Sequence, residues 1–223
     1  MNIGWRKAWR DLVQSKTRTL LVVLSVFAGL FALGMVFGLS NVMRSRMSQD
    51  YLATMPAHIN FGGGPFTEEV IKAVESERDV AKAERWSRTT FRWKLEGETE
   101  WRPGNLVARE DYANQRMDYV ELWDGNWPSK GFLAIERQSS RYFDIPVGAS
   151  ILVEYGKRER PMTTVGILRD PTVTSPQFGE SATFYALPET AAWLTGIEDS
   201  NTLGVRLTAF DRAEAEQTAK RLQ

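Results

Sequence analysis

The sequence predicts an α+β protein: one N-terminal transmembrane helix, then an extracytoplasmic domain of mixed strands and helices. Three observations carry this expectation. Twenty-five consecutive residues, Thr19 to Met43, bear no charge. The charges on either side of that run are unequal, basic before it and acidic after it. Beyond it, hydrophobic spacings of strand and helix type follow one another without strict alternation or repeat.

Composition narrows the functional classes. A chain of 223 residues makes one ordinary domain or two small ones. Lys and Arg number 28 and Asp and Glu 28, a zero balance that argues against a dedicated nucleic-acid binder. Cysteine is absent, which excludes disulfides, thiolate metal sites and a cysteine nucleophile. One histidine, His58, leaves no partner for a multi-histidine metal site and disfavours a histidine-based triad. At 43% hydrophobic residues the chain can build a core.

The central part of the uncharged run, Leu20 to Leu39, contains 16 hydrophobic residues plus Ser25, Gly29, Gly34 and Gly38. Twenty helical residues span roughly 30 Å, the thickness of a bilayer's hydrocarbon core. A cleaved signal peptide is the competing reading, but its apolar region is about 7–15 residues long and ends at small residues. Here the run is longer, and Val42-Met43-Arg44-Ser45 is a poor cleavage context. Residues 1–18 carry Arg6, Lys7, Arg10, Lys16 and Arg18 against Asp11, a net of +4, whereas residues 44–223 carry a net of −4. The immediate outer flank holds Arg44 and Arg46, so the local contrast is five cations against two. The positive-inside rule then places the N-terminus in the cytoplasm and the bulk of the chain outside the inner membrane.

The expected organisation is a basic, interfacial segment over 1–18, a membrane helix over 19–43, a stalk over 44–56 ended by Pro56, and an outer domain over 57–223. Trp5, Trp9, Leu12 and Val13 recur at helical spacing, with Arg6, Lys7 and Arg10 on other faces. This suits a short amphipathic helix lying on membrane lipid, Trp5 and Trp9 at headgroup depth, and is favoured over a plain cytosolic extension of the span. Lys16 and Arg18 complete the cytoplasmic flank. Within the span, Ser25-x-x-x-Gly29 and Gly34-x-x-x-Gly38 present small faces for close helix packing.

The outer domain reads as follows. His58–Phe61 is a short strand, and Gly62-Gly63-Gly64-Pro65 is a turn; no GK[ST] follows, so it is not a phosphate loop. Thr67 caps a helix with Glu68 and Glu69 in its first turn and Val70, Ile71 and Val74 as its apolar stripe. From Thr89 the period becomes two: Thr89, Phe91, Trp93 and Leu95 face one way and Arg88, Thr90, Arg92 and Lys94 the other. A turn at Glu96-Gly97-Glu98 leads to a partner around Thr99–Arg102, and Leu106–Ala108 forms a buried strand. Phe132–Ile135 leads into a helix through Phe143. Ile151–Tyr155 and Met162–Leu168 form a hairpin, Ser181–Leu187 a strand, and Pro188–Leu194 a helix with proline near its start. Leu203–Leu207 is a strand, and Asp211-Arg212-Ala213-Glu214 matches a capping box opening a final helix.

Six tryptophans punctuate this region: Trp86, Trp93, Trp101, Trp123, Trp127 and Trp193. Interleaved with Arg88, Arg92 and Lys94 they could form a nucleic-acid or glycan platform, but core packing and edge anchoring is the preferred reading for so many large rings. Paired carboxylates such as Glu110-Asp111 and Glu198-Asp199 lack a base or ligand set, so no catalytic, cofactor or metal site is expected and the chain is not read as an enzyme.

The order of these motifs resembles the MacB/FtsX-like ABC transporter permeases. Ala8-Trp9-Arg10-Asp11-Leu12 and Lys16-Thr17-Arg18-Thr19-Leu20-Leu21, followed at once by a glycine-bearing membrane helix, is similar to that family's opening. Leu106-Val107-Ala108, Leu122-Trp123-Asp124-Gly125, the block Phe132–Gly148, Thr163–Leu168 and the terminal strand and helix over Leu203–Leu222 resemble its periplasmic core domain. The resemblance implies a porter-like βαβ part, about 57–108 and 200–223, with a mostly β insertion over about 109–199. It also implies a second permease subunit, an ATPase subunit that holds the ATP, and an outer domain acting on a substrate or an extracytoplasmic accessory protein. Family roles are export of drugs or peptides, lipoprotein release and control of cell-wall hydrolases. Family members carry further membrane helices after the outer domain and this sequence shows none, so it is expected to be the N-terminal part of a longer permease. A membrane-anchored binding or adaptor module without an ATPase remains the alternative.

Overall fold

The computed structural model describes residues 16–209 and 211–222. It is a mixed α+β structure that divides into two compact units between Gln49 and Asp50. The first unit is dominated by helix α1, Lys16–Ala53, which among the described residues is the one helix long and apolar enough to cross a membrane. Every residue from 20 to 46 is exposed, Leu, Val and Phe included. A soluble core helix hides such a surface against its own protein, so lipid is the medium that suits it. The helix runs through most of the expected stalk and stops at Ala53, ahead of Pro56. Proline disfavours helical geometry in the residue before it, and Met55 takes φ 50°.

The second unit contains two β-structures joined by one long strand. After α1 come β1 (Ile59–Gly62), α2 (Glu68–Glu75), β2 (Val80–Leu95), β3 (Arg102–Ala108), β4 (Glu121–Gly125), β5 (Phe132–Glu136) and α3 (Arg137–Phe143). They are followed by β6 (Ser150–Tyr155), β7 (Arg158–Arg169), α4 (Pro176–Gly179), β8 (Ala182–Ala186), α5 (Pro188–Thr195), β9 (Thr202–Leu207) and α6 (Arg212–Arg221). The first half of β2 pairs with β9, and β9 with β1, all antiparallel. Helix α2 lays Ile71 and Val74 on this small sheet, and Ala215 of α6 joins them over Val80, Ala83, Leu203, Val205 and Leu207. The apolar stripe of α2 thus faces where its spacing predicts.

The second half of β2 belongs to a different structure. From Ser87 onward it pairs with β3, β3 pairs with β8, β8 with β5, β5 with β7, β7 with β6, and β6 with the end of β2. The hydrogen bonding therefore closes into a six-stranded barrel, which removes open edges along that circuit. Alternation sends Phe91, Trp93, Leu106, Leu133, Ile135, Ile151, Val153 and Phe184 to one shared core, with Ile145 and Leu194 packed on it. Trp93 meets Phe184 and Phe143 edge to face, with centroids 5.5 and 5.1 Å apart. β4 adds to β7 outside the circuit, and all five of its residues are exposed.

The strand pairing moves the expected internal boundary. The porter-like part was expected to run to residue 108, yet β3 lies wholly in the barrel, in parallel register with β8. The division falls at Ser87, inside β2, because one uninterrupted 16-residue strand serves both structures. A periodicity read from Thr89 onward sees only the barrel half of it.

Candidate functional site

The residues singled out by sequence lie along α1 where the structure describes them. Lys16 and Arg18 are exposed in its first turn, and Ser25 donates its hydroxyl to Leu21 O at 2.8 Å. A methyl group added at Gly29, Gly34 or Gly38 would meet nothing within 4 Å. At about 100° of rotation per residue, Ser25 and Gly29 share one face of α1 and Gly34 and Gly38 the opposite one. The helix therefore offers two separate small-residue faces at two depths. Trp5, Arg6, Lys7, Trp9 and Arg10 lie outside the described residues.

In the outer domain the most constrained polar site is a junction that sequence reasoning did not identify. The segment from Arg109 to Val120 leaves the end of β3 and folds back across the start of β2. Arg109, 3% exposed, places Nη1 2.9 Å from Met117 O and 3.3 Å from Glu84 Oε1. Its guanidinium lies 4.7 Å over the buried ring of Trp86. Glu84 Oε2 accepts the backbone N–H groups of Arg116 and Met117, at 3.0 and 3.2 Å. Arg116 in turn pairs with Glu75 of α2 at 2.6 Å and donates to Ala83 O at 3.1 Å. One carboxylate, Glu84, thus ties the small sheet to the strand end that emerges from the barrel. Burial raises its pKa, against the lowering pull of Arg109 and the two N–H donors.

A second buried set lies beside it. Asp118, 8% exposed, accepts the Ala57 N–H at 3.2 Å, and burial raises its pKa too. Tyr112 directs its hydroxyl to Val107 O and Ala186 O, at 3.0 and 3.1 Å, and stacks on Trp127 with centroids 6.0 Å apart. Tyr185 donates to Asp170 Oδ2 at 2.9 Å, while Asp170 Oδ1 holds both the N–H and the hydroxyl of Thr172. Burial pushes both tyrosine hydroxyls upward. Each group is spent on a structural partner. Nothing here combines a nucleophile with a base. Among the described residues no three His, Asp or Glu side chains are grouped to hold a metal ion. His58 accepts the Leu207 N–H through Nδ1 at 3.1 Å.

The tryptophans divide. Trp86 and Trp93 are in the core and Trp127 packs against it, as expected. Trp123 and Trp193 are instead 54% and 49% exposed, with Arg137 and Arg160 stacked over their rings at 4.5 and 3.8 Å. Both lie on outward positions of their elements, so core packing does not account for them. For the junction, the available signal was Arg109 itself, a charge placed directly after the apolar run Leu106-Val107-Ala108.

No protein-family model matches the sequence, and no curated protein does. Among solved structures, the chain is similar to the periplasmic region of MacB from Actinobacillus actinomycetemcomitans. That pair has a TM-score of 0.47 and 10% identity, covering 73% of this chain and 80% of that one. It is also similar to the extracellular domain of the noncanonic ABC-type transporter YknZ from Gram-positive bacteria, at TM-score 0.48 and 14% identity over 73% and 90% of the two chains. A domain of a permease protein from Porphyromonas gingivalis gives TM-score 0.43 and 19% identity over 74% and 72%.

Proposed function

We propose that this chain is the membrane-anchored outer-domain part of an ABC transporter permease subunit. The observation that carries the reading is α1. It is a membrane-length apolar helix without a break, and it enters a folded α+β domain only a few residues after its end. Together with the order of motifs resembling MacB/FtsX-like permeases, this supports a subunit that carries a folded α+β domain on a membrane helix. The five-against-two distribution of flanking cations supports a cytoplasmic N-terminus and an extracytoplasmic domain. The opposed faces Ser25/Gly29 and Gly34/Gly38 suit contact with two different neighbouring helices, such as those of the same and of a second permease subunit. The Glu84–Arg109 junction would keep the small sheet and the barrel moving as one. ATP would be bound by a partner ATPase, and the outer domain would act on exported material, a lipoprotein or an accessory protein.

The test is co-purification from the native membrane. Recovery with an ATP-hydrolysing subunit is expected, and Gly34→Leu with Gly38→Leu should weaken it while the helix still inserts. Recovery as a lone single-span monomer would overturn the reading in favour of an adaptor without ATPase. A phosphatase active only outside the cytoplasm, fused after Asp50, should be active.

A further inference from the structure

The outer wall of the barrel carries a cavity of about 510 Å³. It lies over β2, β3 and β8 and is walled by the segment from Thr172 to Gly179. Its lining includes Arg88, Thr90, Asn105, Thr174, Ser175 and Thr183, and it contains no Asp or Glu, in a chain that has 28 of them. The register explains the grouping. Thr90 stands opposite Asn105, and Asn105 opposite Thr183, so these polar groups form one row across three strands outside the barrel core, Thr90 and Asn105 exposed and Thr183 buried at the cavity's inner end.

The row is held in place. Asn201 clamps the backbone of Arg88, accepting its N–H at 2.8 Å and donating to its carbonyl at 2.7 Å, while the Arg88 side chain stays exposed. Asn105 Nδ2 donates to Ser181 Oγ at 3.0 Å. The wall is anchored where Asp170 Oδ1 takes the Thr172 N–H and hydroxyl, at 2.8 and 2.6 Å. Farther along the same face stands Trp101, with Lys94 Nζ 4.6 Å and the Arg92 guanidinium 5.5 Å from its ring centroid. Arg92 is neutralised by Glu154, Lys94 rests on Trp101, and the exposed Arg88 places its guanidinium 5.8 Å over the Trp86 ring at the edge of the cavity.

We propose that this face binds an acidic saccharide. A row of hydroxyl and amide groups that can both donate and accept matches the alternating hydroxyls of a sugar. The clamped Arg88 is placed for a carboxylate or phosphate on that sugar. Trp101, half-buried at the far end, can stack on the apolar side of a ring where Lys94 and Arg92 leave its indole uncovered. Asn105 and Trp101 are four residues apart on extended chain, about 13 Å, the span of a short oligosaccharide. The proposal does not depend on the permease reading.

The full chain, held in phosphatidylcholine nanodiscs, is titrated calorimetrically with trigalacturonate, with uncharged maltotriose and with inorganic phosphate. Trigalacturonate should bind at least about ten-fold more tightly than either. Arg88→Gln should reduce it to the maltotriose level. Trp101→Ala should weaken both trisaccharides while Trp101→Phe retains most of the affinity. Lys157→Gln, on the exposed β6–β7 turn, should change nothing. The proposal is overturned if trigalacturonate does not bind, if phosphate alone matches it, or if Lys157→Gln weakens binding as much as Arg88→Gln. Thermal melts of each variant separate loss of binding from loss of fold.

Discussion

Arg109 Nη1 lies 3.3 Å from Glu84 Oε1, and the two residues come from different β-structures. Glu84 stands in the part of β2 that pairs with β9; Arg109 follows the strand that pairs with β8. Arg109 is buried and Glu84 largely so, so the pair's value lies mainly in what remains when one partner is lost.

Arg109→Ala should therefore destabilise the outer domain by about 3–5 kcal/mol, leaving Glu84 buried without its cation. The double variant Arg109→Met with Glu84→Gln should recover part of that loss. Lys130→Ala, which removes an exposed pair with Glu189, should change stability by less than about 1 kcal/mol. Urea denaturation of the three variants decides it; equal effects at Arg109 and Lys130 would remove the junction's special status.

Tyr185→Phe deletes one hydroxyl in the core and leaves Asp170 with only the Thr172 donors. A loss of about 1–3 kcal/mol is expected, because a buried acceptor is left short of a donor. Chemical denaturation reads the size directly, and an unchanged midpoint would show that Asp170 finds another donor.

Gly204 packs under Trp86. A methyl group there would stand 3.0 Å from Met117 Sδ and closer still to the Trp86 ring, in a core with no slack. Gly204→Ala should cost about 1–3 kcal/mol through overpacking. Gly62→Ala, on β1 of the same small sheet, would meet nothing within 4 Å and should be tolerated. Thermal melts compare the two.

Glu136, 2% exposed, accepts the Ser139 N–H at 2.9 Å, and burial raises its pKa above the free value. The sign follows from proton counting. Between the unfolded pKa near 4.5 and the raised folded value, the native state holds more protons than the unfolded one. Stability therefore falls as pH rises through that interval, by at most about 1.4 kcal/mol per pH unit for one group. Glu136→Gln should lack this contribution, so its stability relative to the parent should improve as pH rises from about 4.5 towards 7. A constant difference across that range would show that the carboxyl titrates normally.

Much of this architecture was legible from local pattern. The uncharged run over Thr19–Met43 is a composition signal that needs no partner to interpret. The stripe Val70, Ile71 and Val74, the alternation from Thr89 to Leu95, the hairpin around Gly156 and the proline-led helix at Pro188 all report where side chains point within one element. What escaped was long-range. β4 has all five residues exposed and no buried alternation to mark it, so only its pairing with β7 makes it a strand. The first half of β2, from Val80, lacks a clean period because its pairing with β9 shifts register between Val80 and Lys82. Arg109, Asp118 and Asp170 are exposed or buried according to what folds over them.

The sequence by itself determined a membrane-length helix, an asymmetric charge balance about it, and a following domain of mixed strands and helices. These depend on neighbours a few residues apart, where periodicity and solvent preference act directly. Only the tertiary structure decided that β2 serves two β-structures, that the second closes into a barrel, and that Arg109 reaches Glu84. Each brings together residues distant along the chain, through backbone hydrogen bonds that any side chain permits and burial that only the complete fold imposes.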